Sequence, residues 1–111
     1  MPQEVFAISN KNKNEYEIGW NRPDMNTIMS PLPAYIFSDL NMNEQVILSL
    51  IRKYGGKFIY NRIKIPTSYT MNSFYIDSYV SSYSIIFDNY NAAISFCTEA
   101  NAITMLYELK P

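Results

Sequence analysis

"YIFSDLNMNEQVILSLIRKYGGKFI", residues 35–59, decides the fold, because it reads as a strand, a helix and a second strand in succession. The helix is the best marked of the three. Ile47, Leu50, Ile51 and Tyr54 recur at helical spacing and form one buried face. Asn41 with Glu44 three positions on resembles a capping box, and Arg52 and Lys53 suit the negative end of the helix dipole. Gly55 and Gly56 can take the left-handed conformation that ends a helix. Before the helix, "PAYIF" (33–37) is a short aromatic and β-branched run. After it, "KFIYNRIKI" (57–65) alternates, which predicts Ile59, Ile63 and Ile65 on the inward face and Phe58, Tyr60, Arg62 and Lys64 on the other.

Further along, "SFYIDSYVSSYSIIFD" (73–88) predicts strand, with a bend or bulge at Ser81 and Ser82. Asp88 is placed to cap a following helix on which Ala93, Phe96, Cys97 and Ala100 share a face, with Asn101 as its far cap. "ITMLYEL" (103–109) then reads as a last strand, with Ile103, Met105, Tyr107 and Leu109 on one side. The order from residue 34 onward predicts an α+β, ferredoxin-like βαββαβ domain: a four-stranded antiparallel sheet with two helices on one face and the other face free. This domain spans 33–111. Residues 1–32 are set apart as an N-terminal extension, in which 5–8 and 16–20 can pair as a hairpin.

The composition limits what such a domain does. In 111 residues, 48% hydrophobic and 15% aromatic content is enough for one core, and a net charge of -1 excludes coating nucleic acid by bulk charge. A single cysteine, Cys97, forms no internal disulfide and favours an intracellular site, cytoplasm or nucleus. No apolar run approaches the ~20 residues of a membrane span, and the N-terminus lacks a signal-peptide pattern, so a soluble protein without a membrane partner is expected. There is no histidine, and one cysteine builds neither a zinc nor an iron-sulfur site. Gly19, Gly55 and Gly56 form no phosphate-binding loop, and the carboxylates are scattered. Catalytic residues, metal and cofactor are therefore expected to be absent, and the chain is not expected to be an enzyme.

Several stretches also resemble the RNA recognition motif family. "AYIFSDL" stands where that family has its first-strand hexamer, "LIRKYGGKFIYNRI" resembles its helix end and second strand, and "YSIIFDNYNAAISF" its third strand and second helix. The resemblance covers 33–111 and implies a sheet that stacks single-stranded RNA on exposed aromatics. Its stacking positions fall here on Ile36, Ser82 and Ser84, and its leading basic residue on Val80, so the resemblance is to an atypical member.

Charge supplies a second clue. No acid lies between Glu44 and Asp77, yet Arg52, Lys53, Lys57, Arg62 and Lys64 do, five of the nine basic residues. With Phe58 and Tyr60 they make a candidate surface for single-stranded RNA, rings beside cations; a solvated edge strand protected by its charges explains the same residues. Ile36, Tyr75, Tyr79 and Ile86 form a candidate protein-contact patch, unless the N-terminal residues Phe6, Ile18 and Trp20 fold over it. The expectation is a non-catalytic binding module in an RNA-associated assembly, contacting RNA weakly, protein, or both. A protein-interaction or inhibitor module without a nucleic acid role is the alternative, and self-association into a homo-oligomer belongs with either.

Overall fold

The computed structural model describes residues 4–21, 27–40, 42–65, 70–71, 74–75 and 78–108. The chain starts with a hairpin, β1 (Phe6–Asn12) and β2 (Glu15–Asn21), turned at Asn14, whose φ of 61° is a conformation asparagine tolerates. Two short strands follow, β3 (Ile28–Met29) and β4 (Leu32–Pro33), then a single helical turn, α1 (Ile36–Asp39), and helix α2 (Glu44–Lys53). Next come β5 (Lys57–Ile65), the small β6 (Thr70–Met71) and β7 (Phe74–Tyr75), the long β8 (Ser78–Phe87), and α3 (Tyr90–Glu108).

Antiparallel pairing joins β1, β2, β8 and β5 in that order. Where β2 and β8 diverge, β3 continues on β2 and β4 on β8, making six strands in one sheet; β6 and β7 pair separately. The ferredoxin-like βαββαβ expectation is thereby corrected, since the sheet is larger than four strands and differently connected.

Two predicted strands are not strands. Of "PAYIF" only Pro33 lies in a strand, as the end of β4, and after Ala34, whose N–H donates to the Ser81 carbonyl, the chain turns into α1. Residues 103–108 continue α3, because no glycine or proline interrupts the chain between 90 and 108. Asn101, read as a cap, lies inside that helix. The predicted bend at Ser81 and Ser82 is absent too: β8 stays in unbroken register with β5 from Ser78 to Ile86.

Helix α2 carries Ile47, Leu50 and Ile51 buried, as its spacing requires, but its cap is Asn43, whose Oδ1 accepts from the Gln45 N–H at 2.9 Å. Asn41 lies outside the described residues. Gly55, at φ 73°, ends the helix in the left-handed region. At the start of α3 it is Asn89, rather than Asp88, whose side chain accepts from the Ala92 N–H.

Both α2 and α3 pack on the same side of the sheet and touch one another. The core lies between, with Phe6, Ile18, Leu32, Ile85 and Phe87 from the strands meeting Ile36, Ile47, Ile51, Phe96 and Ala100 from the helices. The hairpin is integral to this core. Phe6 and Ile18 are fully buried and Trp20 nearly so, and they lie on the helix-bearing side rather than over the opposite face. On that opposite face Gly19 has no room for a side chain: a Cβ would stand 2.5 Å from Cγ2 of Ile28 and 2.8 Å from the Met29 carbonyl.

Candidate functional site

The register of β5 places the predicted site residues. Residues directly opposite in an antiparallel pair share a face, and Phe58 stands opposite Ile85, Tyr60 opposite Tyr83 and Arg62 opposite Ser81. Ile85 faces the helices. Phe58, Tyr60 and Arg62 therefore project to the helix-bearing side, and Lys57, Ile59 and Asn61 to the far side, the reverse of the expected orientation. What decides the matter is β8, where Ile85 and Phe87 are buried and impose their face on β5; Ile59, expected inward, is 44% exposed.

Phe58 and Tyr60 do not form a free stacking platform. Both pack on Tyr83, with ring centroids 4.9 and 5.5 Å away, and Phe37 closes on Tyr83 from α1 at 5.4 Å. Tyr60 is the outermost ring, 54% exposed, its hydroxyl 2.9 Å from Oγ of Ser81. Burial, and then the charge of nearby Glu44, raises the Tyr83 phenol above its ordinary pKa. The shelf is therefore a half-buried aromatic cluster with one ring presented at the edge of the sheet.

The cations divide. Lys57, Arg62 and Arg52 are exposed, the first two on β5 and the third in the last turn of α2. Lys53 is drawn away: its Nζ donates to Oε1 of Glu99 on α3 at 2.8 Å, and the Tyr54 hydroxyl donates to the same oxygen at 2.9 Å. These bonds hold the Glu99 carboxyl below, and the Lys53 ammonium above, their ordinary values. Glu99's share of stability is accordingly present above the usual carboxylate range and lost as pH falls through its own lower value. A small drop in melting temperature is expected for Glu99→Gln at neutral pH, closing in strong acid; a difference that persists in acid would contradict the pairing.

The expected protein-contact patch is not assembled. Ile36 is fully buried in α1, whereas Ile86 is half-buried on the far face of β8, opposite Lys57 and Glu17. The side chains of Lys64, Tyr75 and Tyr79 lie outside the described residues; the backbone of Lys64 pairs with that of Tyr79.

The two edges of the sheet are treated differently. Asn101 closes β1: its Oδ1 accepts from the Phe6 N–H at 2.7 Å and its Nδ2 donates to the Phe6 carbonyl at 2.9 Å, all of it buried. A register shift between Ile8 and Asn10 interrupts the same edge further on. The opposite edge has neither device, for β5 runs nine residues without a bulge and, among the described strands, pairs only with β8. Sequence alternation marked β5 as a strand; that it would be the open edge depended on which strands flanked β8.

Cys97 is buried beneath α3, and that burial, with the charge of Glu4 second, pushes its thiol up to about 12. Among the described residues no cluster of histidine, cysteine and carboxylate can hold a metal, and no helix is long and apolar enough to cross a membrane. No protein-family model, curated protein or solved structure matches the chain.

Proposed function

We propose that this protein is a non-catalytic binding module that takes an extended, acidic segment of a partner protein as an added strand along the outer edge of β5. The observation that carries this reading is the contrast between the edges: β1 is closed by Asn101 and a bulge, while β5 presents a long, regular row of backbone groups beside exposed Ile59 and Tyr60. Such an edge is a template for another strand. Main-chain hydrogen bonds supply the affinity, and alternate side chains the selectivity.

Charge selects the occupant. Lys57 and Arg62 are exposed on β5 and Lys64 belongs to the same strand, within a stretch that holds no acid from 45 to 76. An acidic strand is attracted by the Lys57 and Arg62 cations, one on each face of β5, and a basic one is repelled. RNA would use the same cations, but it needs several free rings, and here Phe58 is half-buried and Tyr60 is the single exposed ring of the cluster.

Fluorescence anisotropy tests this with a labelled peptide of alternating valine and glutamate, its valine and lysine counterpart, and a uridine oligonucleotide. Saturable, salt-sensitive binding of the acidic peptide alone is expected, weakened about tenfold or more, some 1.4 kcal/mol, by Lys57→Glu with Tyr60→Ala. Silence of the acidic peptide, or tighter binding of the oligonucleotide, would overturn the proposal.

A further inference from the structure

Helix α3 is apolar on more than the side it buries. Tyr90 and Ile94 are 45% and 41% exposed, and with Thr98 and Ala102, also exposed, they recur every four residues along its outer surface. That row is a ridge of the kind by which helices pack. A trough borders it on each side: one of about 480 Å³ against β1, floored by Phe6, Ile8 and Cys97, and one of about 440 Å³ toward Tyr54 and Glu99. The ridge is stepped: its large side chains, Tyr90 and Ile94, stand toward one end and its small ones, Thr98 and Ala102, toward the other, so that a reversed copy can approach closely.

The charges at the ends of the first trough identify the partner. Strand β1 runs opposite to α3, with the Lys11 ammonium 5.3 Å from the centre of the Tyr90 ring at one end and Phe6 bonded to Asn101 toward the other, where Glu4 also lines the trough. We infer that the occupant is a second copy of this chain, its α3 laid antiparallel across the first. A two-fold axis across the middle of the ridge reverses the second copy end for end, which brings Lys11 of each protomer to Glu4 of the other. Ile94 of each then meets Thr98 of the partner, and Tyr90 meets Ala102, large side chains against small ones. The contact is self-complementary in both shape and charge, as an isologous interface must be. Because β1 and β5 are opposite edges of the sheet, the dimer carries its two β5 edges at its outer ends, where a partner with two acidic segments would gain avidity.

Sedimentation velocity on the full chain, from low to high micromolar concentration, tests this independently of peptide binding. A monomer–dimer equilibrium is expected, with Ile94→Glu monomeric and Lys11→Glu dimerising about tenfold or more weakly. The swap Glu4→Lys with Lys11→Glu is expected to restore the dimer, a result that a merely misfolded variant cannot give. Circular dichroism confirms that the variants are folded; all three substituted positions are exposed. A chain monomeric throughout, a dimer indifferent to Ile94→Glu, or a swap that fails to restore association would each overturn the inference.

Discussion

Exchanging Asn101 for leucine is expected to destabilise the protein by about 2–5 kcal/mol, because it leaves a buried donor and a buried acceptor without partners at about 1–3 kcal/mol each. Both belong to Phe6, a residue with no exposed surface. Leucine matches asparagine closely in volume, so the loss would report the hydrogen bonds rather than a cavity. Asn101→Asp separates the two halves of the contact: the carboxylate still accepts from the Phe6 N–H but faces the Phe6 carbonyl without a donor. Because that charge is buried and faces a carbonyl oxygen, a loss at least as large as leucine's is expected at neutral pH, shrinking as pH falls and the protonated acid donates to the carbonyl. Urea unfolding midpoints measure both, and a leucine variant within about 0.5 kcal/mol of the parent would show that Asn101 does not hold β1.

Phe96→Ala is expected to cost about 3–5 kcal/mol, the range for deleting a buried aromatic ring. Phe96 has no exposed surface and lies between Phe87 of β8, 5.3 Å centroid to centroid, and Phe6 of β1 at 6.1 Å. It touches both the hairpin and the centre of the sheet. Since Phe96 and Asn101 share Phe6 as a partner, their effects should fall short of adding. Additivity in a double-mutant cycle, read from the same urea curves, would mean that the hairpin and α3 do not act as one unit.

How far the fold was legible in the sequence follows from these contacts. Helix α2 and strand β5 were readable because local signals agree there: stripe and glycine stop in the one, alternation in the other. The hairpin pairing of 5–8 with 16–20 was readable as a local unit, yet nothing in its residues tells that Phe6 will meet Asn101, 95 positions away. In a βαββαβ sheet the first strand lies beside the third and the fourth beside the first. Here β2 takes the place beside β8 and β1 the place beyond it, so the hairpin fills the positions assigned to 33–37 and 103–109.

Period explains why 103–109 reads as a strand. Ile103, Met105 and Tyr107 alternate, but Phe96, Ala100, Ile103 and Thr104 fit a helix equally well, and seven residues are too few to decide. Asn101 reads as a cap for a related reason: an asparagine after a helical stripe is a common stop, and only the adjacent strand reveals it as a clasp. The candidate site was legible in composition and not in orientation. Cations and rings could be counted between 52 and 64, but which of them share a face was fixed by Ile85 and Phe87 through the register.

Residue-by-residue amide hydrogen exchange along β5, with and without the alternating valine and glutamate peptide, is the most direct test of the open edge. The account predicts that, in the protein alone, amides turned toward β8 are protected while the alternate ones exchange fast, and that the peptide slows the fast set. Uniform protection along β5 before any peptide is added, or slowing by the peptide at β1 and α3 instead, would contradict it.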